Sequence, residues 1–201
     1  LQISEHNHVG SNQDGLHRSE VKGNNDSDRD YPAIQPRITF RQIAGMLNIK
    51  EQLFAAGKEV LAAKNSTIEP RNGIMLHGDP GNGKSMFAEA LAGELGIPFI
   101  SVSFGQLNSR WIGATAEHIV AAFASAKSYA PCVLFLDEID GAMTSRDTEG
   151  SSASDDARKT TNTLLTELVD IRNHHVVVIG ATNYLEQLDA AAIREKRFDY
   201  K

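Results

Sequence analysis

The sequence predicts an α/β fold, a doubly wound parallel sheet with helices on both faces. Three observations carry that reading. From Gly73 onward, short apolar segments alternate with longer amphipathic ones, the pattern that lays crossover helices over a parallel sheet. A glycine-rich run ending in Lys84-Ser85 stands at the junction of the first strand and the first of these helices. An unbroken apolar run, residues 132–136, ends on the carboxylates Asp137 and Glu138. A strand apolar at every position is one buried on both faces.

The elements follow in order. Residues 1–30 are rich in Ser, Asn, Asp, Gly and His and have no apolar period, so they read as a flexible polar linker. His6, His8 and His17 lie in it without a spaced partner set, and a solvated tail is the reading taken. Order is expected from Tyr31, with one domain over residues 31–201. Ile38-Thr39-Phe40 opens it, and residues 48–64 read as a helix with Leu53, Val60 and Leu61 near one face. Strands are expected at residues 74–77, 99–103, 132–136 and 176–179. Helices are expected at 84–94, 115–128 and 155–170, the last with Leu164, Leu165, Leu168 and Val169 as its apolar stripe.

Composition sets the outer bounds. A chain of 201 residues with 41% hydrophobic content accommodates one domain with a sizeable core and a tail. The net charge of -6 argues against a direct nucleic-acid partner, which usually demands a basic surface. The single cysteine, Cys132, excludes an intrachain disulfide and fits a reducing compartment, so a cytoplasmic location is expected. No apolar run approaches the length of about 18 residues that crosses a bilayer. The first residue is Leu and no signal-peptide pattern follows, so both ends are expected to be cut from a longer chain.

Gly78-Asp79-Pro80-Gly81-Asn82-Gly83-Lys84-Ser85 matches G-x-x-x-x-G-K-[ST]. Glycines let the backbone wrap a polyphosphate and turn several N–H groups inward. The helix that begins near Lys84 aims its positive dipole end at the same phosphates. Nucleotide contacts are therefore expected from Asp79, Pro80, Gly81, Asn82, Gly83, Lys84, Ser85 and Met86. Lys84 is expected to reach the β- and γ-phosphates of ATP, and Ser85 to offer its hydroxyl to Mg2+. Asn82 is expected in a left-handed backbone conformation, which Asn tolerates. The competing reading is a glycine-rich turn with an incidental Lys-Ser.

The acids come about fifty residues later, where a strand would deliver them to the carboxyl edge of the sheet beside the loop. Asp137 is expected to hold Mg2+, and Glu138 to polarise the water that attacks the γ-phosphorus. Asp140 is expected to be structural. Asn183, at the end of the fourth strand, is placed to hydrogen-bond that water or the γ-phosphate. A purely structural Asn at a strand end is the alternative.

Thr182-Asn183, Asp189, Ala191, Arg194, Arg197 and Asp199 complete the spacing T-N-x5-D-x-A-x2-R-x2-R-x-D. This resembles the second region of homology that marks the core AAA family of P-loop ATPases, over residues 38–201. The resemblance implies the large α/β subdomain of a ring-forming homo-oligomer, usually hexameric, that hydrolyses ATP. It implies that Arg194 and Arg197 reach the neighbouring subunit's γ-phosphate as arginine fingers, against a bland reading of intrachain salt bridges. It also implies that Ile43-Ala44-Gly45 meets adenine through backbone. Arg110-Trp111-Ile112-Gly113 stands where the family carries a K-[YW]-[VI]-G-like pore segment, so Trp111 is expected to grip a translocating polypeptide client. Local packing of Trp111 is the alternative. The polar loop 143–154 resembles a second pore loop. A fifth core strand and a helical lid are expected beyond Asp199, largely cut from this chain.

The function expected is protein unfolding or complex remodelling, as in the katanin- and spastin-like members. The first alternative is the ATPase module of a membrane-anchored AAA protease, which would need H-E-x-x-H downstream and usually carries Phe in the pore segment. A DNA-directed loader and a catalytically dead scaffold are the others. The acidic charge disfavours the loader, and the intact Lys84, Asp137, Glu138 and Asn183 disfavour the scaffold.

Overall fold

The computed structural model describes residues 31–62, 73–105, 115–143, 152–188 and 198–200. Helix α1 spans Leu47–Ala62, strand β1 Gly73–His77, α2 Lys84–Leu95, β2 Phe99–Ser103, α3 Thr115–Ser128, β3 Cys132–Asp137, α4 Ser152–Asp170 and β4 Val176–Thr182. The four strands form one parallel sheet in the order β1-β4-β3-β2. The α/β class and the doubly wound arrangement expected from the sequence are therefore present.

Strand periodicity explains the two layers. Alternate residues of β3 point to opposite faces. Val133 and Phe135 enter a core with Ile74, Phe99, Val177, Ile179 and the buried faces of α1 and α2. Cys132, Leu134 and Leu136 enter the other core, with Val176, Val178 and residues of α3 and α4. Cys132 to Phe135 are fully buried and Leu136 is 1% exposed, and burying each large apolar side chain stabilises by about 1.5–3 kcal/mol. The Cys132 thiol sits in this apolar layer, and burial pushes its pKa up to about 12. It is a packing residue.

The helices differ from expectation in detail. In α1 the buried set is Leu53, Ala56, Gly57 and Val60, a single helical stripe. Gly57 matters because a Cβ there would lie 2.9 Å from a Leu95 methyl of α2. In α4 the expected stripe fails at Val169, which is 46% exposed, and Ile171 in the following turn is fully buried instead. The stripe advances by three after Leu168, so Ile171 faces inward and Val169 does not. Strand β4 runs from Val176 to Thr182, with Asn183 just past its end as expected, and pairs with β1 on one side and β3 on the other.

Two segments border the sheet. On the outer edge of β2, Ile34 and Phe99 exchange backbone hydrogen bonds of 2.9 Å in each direction. Tyr31 anchors that segment to α3 through its hydroxyl, 2.9 Å from His118 Nδ1, and its carbonyl, which accepts from Ser125 Oγ. The chain then turns at Phe40–Gln42, where Thr39 and Gln42 form a reciprocal capping box. On the outer edge of β1, Tyr200 bridges Ile74 in parallel, at the position of the expected fifth strand. The linker over residues 1–30 lies outside the described residues. No helix among the described residues is long and apolar enough to cross a membrane.

Candidate active site

The carboxyl ends of β1, β3 and β4 converge on one edge, where open α/β sheets bind their ligands. The loop after β1 is made by glycine: Gly78, Gly81 and Gly83 have φ of 145°, 83° and 76°. Side chains rarely adopt these angles. Asn82 is not among the left-handed residues, contrary to expectation, because the glycines on either side supply the positive φ values. Helix α2 begins at Lys84 with no side chain capping it, which leaves its first-turn amides directed at the loop.

The Lys84 ammonium donates to the Gly78 carbonyl at 2.7 Å, the Asp79 carbonyl at 3.1 Å and Asn183 Oδ1 at 2.7 Å. The last bond joins residues 99 apart in sequence. The register explains it: His77 lies opposite Thr182, so Asn183 emerges beside the loop. Ser85 and Met86 are exposed in the first turn of α2. Ile43 is packed with Leu53 and Phe87, and its carbonyl accepts from Lys50 Nζ at 2.5 Å. Ala44 and Gly45 are exposed, and Gly45 and Met46 have φ of 67° and 53°.

Asp137 ends β3 half-buried. Burial pushes its carboxyl pKa up, and the neighbouring charges of Glu138 and Asp140 push the same way. A hydrogen bond from the Glu138 amide and the Lys84 charge oppose them. A carboxylate held in this way is receptive to a cation. Glu138 has left-handed angles, φ 53° and ψ 45°, which cost a non-glycine residue about 1–3 kcal/mol. That turn sends its side chain toward β2, where Ser103 Oγ lies 3.4 Å from Glu138 Oε2. Gly105 leaves room for it, since a Cβ there would come within 1.9 Å of the same oxygen. Asp140 accepts a 2.7 Å hydrogen bond from buried Thr182 Oγ1, which itself accepts from the Tyr184 amide. Asp140 thus ties the turn of the acids to the tip of β4.

The fold therefore brings together Lys84, Ser85, Asp137, Glu138 and Asn183. Arg110, Trp111, Ile112, Arg194 and Arg197 lie outside the described residues, as does most of the loop 143–154. Two residues near the site, and one at the opposite edge of the sheet, went unread in the sequence. Ser103 and Gly105 follow from the parallel pairing of Ser103 with Asp137, which needs the strand order. Arg172, buried against Asp199, has no local signal at all.

The sequence profile of the ATPase family associated with various cellular activities (AAA) matches residues 74–201. The chain belongs to the AAA family. Among curated proteins it is 39% identical over 168 residues to the ATP-dependent zinc metalloprotease FtsH 2 of Thermoanaerobacter sp., covering 81% of this chain and 32% of that protein. It is 35% identical over 178 residues to the FtsH of Aquifex aeolicus, covering 84% and 27%. It is 36% identical over 168 residues to the chloroplastic FTSH 8 of Arabidopsis thaliana, covering 81% and 24%. The chain thus spans about a quarter to a third of the length of these relatives. It is an AAA ATPase module.

Proposed function

We propose that this module binds and hydrolyses ATP to drive polypeptide unfolding within an AAA protease of the ATP-dependent zinc metalloprotease kind. The observation that carries the ATPase reading is the 2.7 Å contact of Lys84 with Asn183 beside Asp137 and Glu138. A polyphosphate fits the glycine cradle, where a Cβ on Gly81 would meet nothing within 4 Å and the α2 amides are uncapped. A divalent cation fits the oxygen donors on offer, the hydroxyl of exposed Ser85 and the half-buried Asp137 carboxylate. Ser85 and Asp137 would hold Mg2+, which would supply positive charge against the phosphates.

The chain's own residues perform the rest. Lys84 exchanges its loop carbonyls for β- and γ-phosphate oxygens and keeps Asn183 within reach of the same group. Glu138, released from Ser103, accepts the proton of the attacking water. Asn183 orients that water. Arg194 and Arg197 supply positive charge to the γ-phosphate of the next subunit in a homo-oligomeric, hexameric ring. Ile43, Ala44 and Gly45 meet the adenine through backbone. Arg110, Trp111 and Ile112 line the pore and hold the client chain.

One residue favours the remodelling reading instead. Trp111 stands where the protease members usually carry Phe. An H-E-x-x-H zinc motif on the same polypeptide beyond Lys201, read from its gene, decides between the two. The ATPase reading is tested by two substitutions. Glu138→Gln should retain nucleotide and lose turnover by about 10²-fold or more. Lys84→Ala should weaken nucleotide binding itself. Equilibrium binding with a phosphate-release assay separates them, and normal turnover by Glu138→Gln sinks the assignment.

A further inference from the structure

We infer that Asp140 is a positioning residue for Asn183, acting through the buried hydroxyl of Thr182. The inference rests on the reading that Asn183 orients the attacking water.

Asp140 lies in the short turn Ile139–Ala142, just beyond Glu138. Its Oδ1 accepts from Thr182 Oγ1 at 2.7 Å, and Thr182 is 1% exposed. The same Thr182 oxygen accepts from the Tyr184 amide at 2.9 Å. Asn183 therefore lies between two tethered residues. The sheet alone does not tether them. The ladder with β1 reaches Thr182, opposite His77, but the ladder with β3 stops earlier, at the pair Leu136 and Gly180. At the tip of β4 the Asp140 side chain stands where that second ladder has ended. From the tip so held, Asn183 Oδ1 accepts from Lys84 Nζ at 2.7 Å.

These bonds suit the aiming of a side chain. A hydroxyl donating to a carboxylate makes a short, charge-assisted hydrogen bond. That bond also sets the Thr182 rotor, which leaves a lone pair for the Tyr184 amide and turns the chain at Asn183. Asp140 and Glu138 share one turn, so the segment that carries the proton acceptor also holds the residue that orients the water. Losing the bond frees Asn183 to shift while the phosphate loop stays in place. A misplacement of about 1 Å costs on the order of 10²-fold in rate. Asp140 has a second route to the site: after burial and the Glu138 charge, its own charge helps to hold the Asp137 pKa up. Substitution separates the two routes, because an amide keeps an acceptor oxygen and drops the charge.

The experiment uses the full-length protein in its assembled ring and reads kcat and KM for ATP. Asp140→Ala removes the acceptor, and Thr182→Val removes the hydroxyl at nearly constant volume. Each should lower kcat by roughly tenfold to a hundredfold, with KM within about threefold of the parent. Asp140→Asn and Thr182→Ser keep the bond, and their kcat should stay within about threefold. Melting temperature falls with a lost buried hydrogen bond on any reading, so it serves only to confirm folding. The decisive comparison is with Asn183→Ala, which should lose at least as much kcat as Asp140→Ala. In the double variant Asp140→Ala/Asn183→Ala, the first change should cost nothing further, since the side chain it aims is gone. Losses that multiply in the double variant would make Asp140 an independent group and overturn the inference, as would normal turnover by Asp140→Ala beside a crippled Asn183→Ala. Asp140→Asn as impaired as Asp140→Ala would assign the effect to charge on Asp137 and overturn it too. If Asn183→Ala itself turns over normally, the reading beneath fails and takes the inference with it.

Discussion

The phosphate loop and the acidic edge of the sheet meet the same substrate but are built by opposite means. The loop is local. Its eight residues from Gly78 to Ser85 are contiguous, its shape comes from three glycines at positive φ, and its donors are largely backbone. The acidic edge is assembled from afar. Asp137 and Glu138 come from β3, Ser103 and Gly105 from β2, Thr182 and Asn183 from β4, and the working groups are side chains. Its strain is on a glutamate rather than a glycine. A local backbone cradle can hold a phosphate before any other part of the site is aligned. Side chains gathered from three strands act only when the sheet, and on the proposed reading the neighbouring subunit, are all in place. Binding and turnover should therefore come apart under mutation.

The largest effect extends the second region across the subunit boundary. Arg197→Ala should reduce turnover by about 10³–10⁵, the range for arginine fingers in related phosphoryl transfer. Nucleotide binding should change much less, because the loop is untouched. Mixing tests the trans geometry. Rings combining Arg197→Ala with Lys84→Ala subunits should hydrolyse ATP faster than either variant alone, since some interfaces join an intact loop to an intact arginine. Uniformly negligible rates at all mixing ratios, with rings confirmed by sedimentation, would return the arginines to an intrachain role.

Two glycines sharpen the comparison within one subunit. Gly83 has φ 76° but an added Cβ would meet only Met86 Cβ, at 4.0 Å, so Gly83→Ala should distort the loop backbone and weaken nucleotide affinity. Gly105→Ala does the reverse. No positive φ is required there, but the new methyl would strike the Glu138 carboxylate at 1.9 Å and displace it. Turnover should fall by about tenfold to a hundredfold with affinity nearly unchanged. Isothermal titration and steady-state rates on both variants check this. A matched loss of affinity in the two would mean that the regions are not separable.

The same division explains what the sequence made legible. The phosphate loop was readable residue by residue because its physics is contiguous, Asn82 excepted, where the flanking glycines carry the left-handed angles. Strand β3 was readable because five successive apolar residues, too few for a helix and bounded by Pro131 and Asp137, fit a strand buried on both faces. Asn183 was readable as a candidate, while its partner Lys84 came only with the β1–β4 register. Ser103 and Gly105 needed the β2–β3 pairing. Arg172 needed more still. It sits in the polar run Arg172-Asn173-His174-His175, and its partner lies 27 residues on, past the segment that carries both arginines. Pair chemistry between distant residues leaves no period in a sequence.

The smallest effect is expected far from both regions and serves as their control. Lys127 of α3 donates to Glu167 at 2.9 Å and to Asp170 at 2.6 Å, pinning α3 to the end of α4. Burial of Lys127 works against its charge, but hydrogen bonds to Asp170 and Glu167 outweigh it and its pKa is raised above 10.5. The same hydrogen bond and charge lower the Asp170 pKa below 3.8. The signs fix the window. A raised lysine contributes stability in full below about pH 10.5 and loses it as pH rises through the folded value. A lowered carboxylate contributes above about pH 3.8 and loses it as pH falls through its folded value. The cluster should therefore act evenly between those limits and fade at both ends. Because Asp170 is exposed, solvent screens its pairing with Lys127, and Lys127→Met should lower the melting temperature by no more than roughly 2–4 °C. That deficit should be flat from about pH 5 to 9, shrink in acid, and shrink again in high salt. Nucleotide affinity and turnover should not change. Thermal melts across pH and ionic strength check the first part, and a change in turnover would show that the helical layer, as well as the sheet edge, sets the chemistry.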